Sequence, residues 1–165
     1  MVDGADDFTG RYRNGNFITL YLSPRDYHRI HIPAGGELVS MSYIPGRLFS
    51  VNPATTGRID NLFARNERVV TTFSSATGMF SVILIGAIFV GSMETVWHGQ
   101  VTPAAGRKHR VWNYEPGTVF KQGDEIGRFN MGSTVIVLTE PNYFNWCAGA
   151  EWVAMGQQIA VGNTG

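Results

Sequence analysis

Glycine and proline punctuate this chain so often that no long regular element fits between them. Twenty glycines and seven prolines interrupt 165 residues. The runs they separate are short, about four to eight residues, and rich in Val, Ile, Thr and Phe, the side chains that suit a pleated surface. Strands are therefore expected at residues 17–22, 36–43, 68–73, 79–88, 91–97, 118–120, 126–129 and 133–138. Within 36–43, Leu38 and Val39 break a strict alternation, which predicts a bulge or a strand covered on both faces. Helix is scarce. Ser23 before Pro24 reads as an N-cap with proline at the first helical position, predicting one turn over 24–28, and Asp60 would cap another over 60–66.

The expectation is a mostly β fold, a compact arrangement of short, largely antiparallel strands with one or two short helical turns. With 44% apolar residues the chain has enough material for one core. A single domain over 1–165 is expected, since no repeat or compositional linker divides it. Residues 1–10 hold three aspartates and no periodic apolar pattern, and read as a loose leader or the stump of a longer chain.

Thirteen basic side chains balance thirteen acidic ones, so no broad field favours nucleic acid. The one local excess, Arg107, Lys108, His109 and Arg110, is either a solvated loop or a rest for anionic headgroups. Cys147 is the single cysteine; it supplies no internal disulfide, and its aromatic neighbours mark it as a packing residue. The longest apolar run, 82–90, falls well short of the roughly 20 residues that span a bilayer, and the acidic start does not resemble a signal peptide.

Two places hold residues suited to chemistry. His28 and His31 stand three apart where a strand gives way to a turn. From spacing alone they are two surface histidines or a reactive pair; a metal site lacks further ligands of suitable spacing. Gly132-Ser133-Thr134 leads into an apolar strand. It is a turn before a strand, or a serine whose preceding glycine leaves a carbonyl open to attack, given a base such as histidine.

The segment Tyr21-Leu22-Ser23-Pro24-Arg25-Asp26-Tyr27-His28-Arg29-Ile30-His31 resembles the signature of bacterial phosphatidylserine decarboxylases. Tyr43-Ile44-Pro45-Gly46, Leu48-Phe49-Ser50-Val51-Asn52-Pro53, Asn61-Leu62-Phe63-Ala64-Arg65-Asn66-Glu67-Arg68, Gly91-Ser92-Met93-Glu94-Thr95-Val96-Trp97 and Gly123-Asp124-Glu125-Ile126-Gly127-Arg128-Phe129 follow in the family's order, up to Met131-Gly132-Ser133-Thr134. The likeness runs from Tyr12 to Val161 and is weakest over 141–152.

The resemblance implies a barrel-sandwich-like form and a proenzyme that cuts itself between Gly132 and Ser133. Residues 1–132 would become a β subunit and 133–165 an α subunit. Ser133, with His31 as base, would attack the Gly132 carbonyl. Ser133 would end as a pyruvoyl group that forms a Schiff base with phosphatidylserine, releases carbon dioxide and yields phosphatidylethanolamine. His28 is the implied general acid. Thr134 is a candidate to hold the transient oxyanion, while Asp26 and Tyr27 either orient the histidines or are structural.

The implied partners are phosphatidylserine, an anionic membrane surface and the chain's own two pieces, with a homodimer admitted and no nucleic acid. The implied location is the cytoplasmic face of the bacterial inner membrane, held peripherally. Family members typically carry an upstream region with membrane-contacting helices and an acidic residue for self-cleavage. Asp3 lies too near the histidine block to take that role, so a fragment that matures slowly or not at all is one alternative. A related pyruvoyl decarboxylase acting on another amine-bearing acid is a second. A swinging-arm carrier domain is a third, disfavoured because neither Lys108 nor Lys121 has the expected Met-Lys-Met setting.

Overall fold

The computed structural model describes residues 10–147 and 152–162. Among these residues thirteen strands appear: β1 Asn16–Tyr21, β2 Arg29–His31, β3 Gly36–Ile44, β4 Arg68–Ser75, β5 Gly78–Ile85, β6 Met93–Thr95, β7 Gly99–Thr102, β8 Arg110–Asn113, β9 Val119–Phe120, β10 Glu125–Phe129, β11 Thr134–Thr139, β12 Phe144–Trp146 and β13 Ala160–Gly162. Two one-turn helices, α1 Pro53–Thr56 and α2 Leu62–Arg65, lie between β3 and β4.

The larger sheet runs β1-β11-β5-β4-β3-β8, with β9 also on β3, and every pairing in it is antiparallel. A second antiparallel sheet runs β2-β10-β6-β7, and β12 pairs with β13. The expected mostly β, antiparallel fold is what forms, as open sheets rather than a closed barrel.

The central strands β4, β5 and β11 are buried almost throughout, which explains why they read as nearly unbroken apolar runs. Phe73 on β4 stacks on Phe80 at 5.3 Å and meets the edges of Trp97 and Phe120. Trp97 follows β6, so this aromatic cluster joins the two sheets. Thr95 on β6 also donates to the Met41 sulfur on β3. The break at Leu38–Val39 is a bulge: the β3–β4 register shifts between Leu38 and Ser40, and the Val39 carbonyl accepts from Tyr114.

Several expectations need correction. Residues 24–28 form no helix. The Ser23 N–H donates to the Asp26 carboxylate at 2.7 Å and the Asp26 N–H to the Ser23 carbonyl at 3.0 Å, so a side chain that would compete with helix closes a β-turn instead. The second helical turn starts one residue later than read: Asn61, not Asp60, precedes α2, in the left-handed region at φ 55°, which asparagine tolerates. The helical turn at α1 went unpredicted; there the Asn52 side chain accepts from the Thr55 N–H at 2.8 Å. The strand expected over 79–88 stops at Ile85, where the Gly86 N–H turns away to the Glu67 carbonyl. Cys147 is exposed rather than packed.

Among the described residues no helix is long and apolar enough to cross a membrane. Residues 1–9, which include Asp3, lie outside the described residues.

Removing the Phe73 ring deletes the joint between the sheets. Phe73→Ala is expected to lower unfolding free energy by about 3–5 kcal/mol, read as a fall in denaturant midpoint; a loss below about 1 kcal/mol would show that the cluster is not the joint.

Candidate functional site

Strand register assembles one end of the large sheet. Tyr21, Thr134, Ile85, Arg68 and Ile44 stand abreast across β1, β11, β5, β4 and β3. Ser133 lies one residue outside this row. The Leu22 N–H donates to the Ser133 carbonyl at 2.7 Å, extending the β1–β11 ladder past Tyr21. The Ser133 hydroxyl donates to the Ile85 carbonyl, and Ser133 is fully buried.

Gly132 explains how the serine is held. A Cβ there would sit 2.7 Å from the Leu22 oxygen, 2.7 Å from the Ser23 carbonyl carbon and 2.8 Å from the Pro24 nitrogen. These are backbone atoms that cannot swing aside, so only glycine lets the 132–133 junction lie on the 22–24 backbone. The two segments the sequence singled out, far apart in the chain, meet here main chain to main chain.

The histidines have different settings. His28 Nε2 lies 3.3 Å from the Pro24 carbonyl. A carbonyl only accepts, so that nitrogen carries the hydrogen, and Nδ1, buried without a partner, presents its lone pair. The His28 carbonyl accepts from Phe129 at 3.0 Å, tying it to the strand that leads to Gly132. His31 Nδ1 lies 2.7 Å from the Gly123 carbonyl and Nε2 2.9 Å from the Tyr27 hydroxyl. By the same logic Nδ1 donates and Nε2 accepts from Tyr27, whose ring stacks on the imidazole at 5.7 Å.

Among the described residues neither imidazole is hydrogen-bonded to Ser133. The structure thus groups Gly132, Ser133 and Thr134 with the 22–24 backbone, and Tyr27 with His31. Asp26 closes its own turn and bonds to neither histidine. Thr134 is buried with its hydroxyl unpartnered.

A network that sequence reasoning missed holds the approach to the serine. Asn130 donates through its amide to Ser92 Oγ and, at 3.3 Å, to Glu94. Glu94 also takes two bonds from Arg128, at 2.9 and 2.6 Å, and the Arg128 guanidinium holds its carboxyl below the usual carboxylate range. The cross-strand pairing of Glu94 with Arg128 on β6 and β10 needed the register, which local pattern does not contain. Asn66, fully buried, pins the neighbouring loop through bonds to Phe49 and to the Gly86 carbonyl.

Among the described residues no group of His, Cys, Asp and Glu is arranged to hold a metal ion. What the site offers is a buried serine behind an obligatory glycine, an imidazole nitrogen with a free lone pair, and a second buried hydroxyl beside the serine. Those groups suit acyl transfer at the 132–133 bond, and a small carbonyl derived from Ser133 would find an orphaned hydroxyl, Thr134, as its neighbour.

The family model described as phosphatidylserine decarboxylase matches residues 2–164. The chain is 52% identical over 163 residues to the phosphatidylserine decarboxylase proenzyme of Methylococcus capsulatus, covering 98% of this chain and 56% of that protein. It is 54% identical over 168 residues to the proenzyme of Polaromonas naphthalenivorans, covering 97% and 58%, and 51% identical over 164 residues to that of Nitrosococcus oceani, covering 96% and 54%. The chain spans a little over half the length of these relatives. Matched along almost its whole length, this chain belongs to the phosphatidylserine decarboxylase family.

Proposed function

We propose that this chain is the self-cleaving catalytic part of a phosphatidylserine decarboxylase, with Ser133 as the residue that becomes the pyruvoyl group. The observation that supports the reading is the seating of Gly132 on the 22–24 backbone, which holds the 132–133 bond against the segment that leads to His28 and His31.

In the proposed maturation the Ser133 hydroxyl attacks the Gly132 carbonyl carbon. The amide C–N bond breaks as an ester forms, and the serine nitrogen takes up a proton. Loss of the Ser133 Cα proton and cleavage of its Cβ–O bond free the Gly132 carboxylate; water then replaces the nitrogen, which leaves as ammonia. His31 is the base for the first step. To reach the serine its Nε2 must release the Tyr27 hydroxyl, and the Ser133 hydroxyl must release the Ile85 carbonyl. Thr134 supports the oxyanion, and Tyr27 keeps His31 in one tautomer until then.

A carbonyl at this position supplies an electron sink for decarboxylation of an amine-bearing substrate, here phosphatidylserine. His28 is the general acid that returns a proton to the substrate carbon, and its unpartnered Nδ1 is the atom available to carry it. That nitrogen also favours a second reading, in which His28 rather than His31 is the base for cleavage.

The substrate is a lipid, and the same rim leaves Tyr21, Leu48, Ile88, Phe89 and Met131 exposed. They support a membrane surface as the partner at this end; the location proposed with it is peripheral, on the inner membrane's cytoplasmic face, and both pieces, 1–132 and 133–165, would remain in one fold.

Ser133→Ala is expected to stay one chain on a denaturing gel under conditions where the parent gives two pieces; cutting of Ser133→Ala would remove the serine from the chemistry. Gly132→Ala should lose cleavage at least tenfold and stability by about 1–3 kcal/mol, because the added methyl meets backbone; a fully cut, equally stable variant would contradict the close seating. His31→Ala should slow cutting, whereas His28→Ala should cut yet fail to release carbon dioxide from phosphatidylserine. An uncut His28→Ala chain would transfer the base role to His28.

A further inference from the structure

Three arginines from separate segments face one open cleft of about 500 Å³ on the rim described above. They are Arg47, Arg65 and Arg107, and Pro45 and Gly46 complete its lining. Among the described residues none of the three makes an ion pair.

The scaffold beneath them is rigid. The Arg47 N–H donates to the Arg65 carbonyl and the Glu67 N–H to the Arg47 carbonyl, both at 2.8 Å. A Cβ on Gly46 would lie 2.4–2.5 Å from backbone atoms of Arg65, Asn66 and Glu67, so the 45–47 and 65–67 backbones are in direct contact. Arg107 reaches in from beyond β7 and donates to the Gly46 carbonyl. Arg65 lies over the Phe49 ring at 5.0 Å.

Among the described residues the nearby acid, Glu67, makes no ion pair with any of the three. Glu67 takes the Tyr43 hydroxyl at 2.6 Å; burial and this bond push the Tyr43 hydroxyl up to about 12, against the pull of Arg107 and Arg110. Three like charges gathered around one opening repel one another, and guanidinium forks match a tetrahedral oxyanion in shape and charge.

We infer that the cleft formed by Arg47, Arg65 and Arg107 is a phosphate-binding site, separate from the Gly132–Ser133 junction. The two sites lie on one rim: Ile44 on β3 and Thr134 on β11 are three strand spacings apart, roughly 14 Å at about 4.8 Å each. The ligand is the phosphate group of a lipid headgroup or of a soluble phosphate. The inference does not depend on the decarboxylase chemistry, since it concerns residues outside that junction.

The test is titration calorimetry of the purified 165-residue chain with inorganic phosphate, beside flotation with phosphatidylcholine vesicles with and without phosphatidylglycerol. The parent should bind phosphate saturably. The R47Q/R65Q/R107Q variant should lose at least tenfold in affinity, the matching lysine variant should fall between, and R13Q/K121Q, at the opposite end of the sheet, should match the parent. Flotation that needs phosphatidylglycerol, fails in the glutamine variant and is competed by free phosphate identifies the headgroup as the source. Phosphate binding with flotation indifferent to the three arginines identifies a soluble phosphate; both results uphold the site. No saturable binding by the parent, or equal binding by the folded lysine variant, the R13Q/K121Q control and the glutamine variant, overturns it, and circular dichroism establishes folding in each case.

Discussion

The contact on which the arrangement depends is that of a glycine with no room for a side chain. Gly132 lies against the main chain of Leu22, Ser23 and Pro24 at distances no Cβ could occupy. The approach aligns the Ser133 carbonyl with the Leu22 N–H, so the β1–β11 ladder continues past its last side-chain pair. Once that ladder is set, Ser133 is buried with its hydroxyl on Ile85, and the Asp26-closed turn delivers His28 to the same end. A larger residue at 132 would separate the two segments and break the ladder at the point where the chemistry is proposed.

The antiparallel register extends that organisation across the sheet. Because β1, β11, β5, β4 and β3 end abreast, loops separated in sequence share one rim. Asn66 ties the Phe49 segment to Gly86 with three hydrogen bonds in a fully buried setting, where leaving such a group unpaired costs about 1–3 kcal/mol. This stitch holds the loop bearing Arg47 next to the end of β5. The rim therefore combines a buried serine, exposed apolar side chains and a cluster of arginines, a composition that would suit the proposed substrate with its charged head and apolar tail.

The long central strands were legible because burial on both faces leaves nearly continuous apolar runs, and the bulge at Val39 was legible because alternation fails there. The three-residue strands β2, β6, β12 and β13 contain too few side chains to establish a period, so β2, β12 and β13 were not anticipated and β6 was read as a longer strand. The helical turn expected over 24–28 failed because Asp26 accepts the Ser23 N–H, a competition in which propensity and capping rules favour either outcome. Ser133, Gly132, His28 and His31 were found through resemblance to a family; local pattern alone left each of them ambiguous. The Glu94–Arg128–Asn130 network and the arginine cleft depend on cross-strand register and on main-chain contact between loops, neither of which short-range pattern encodes.

The central claim is that the 132–133 bond breaks through Ser133 and leaves a carbonyl in place of its amine. Intact mass measurement of the purified chain tests it most directly. Two species are predicted, one ending at Gly132 and one lighter by one ammonia than a serine-initiated 133–165 fragment, the latter gaining the mass of a hydrazide probe. A single uncut species that does not react with the probe, or a 133–165 fragment retaining its serine amine, would contradict the account.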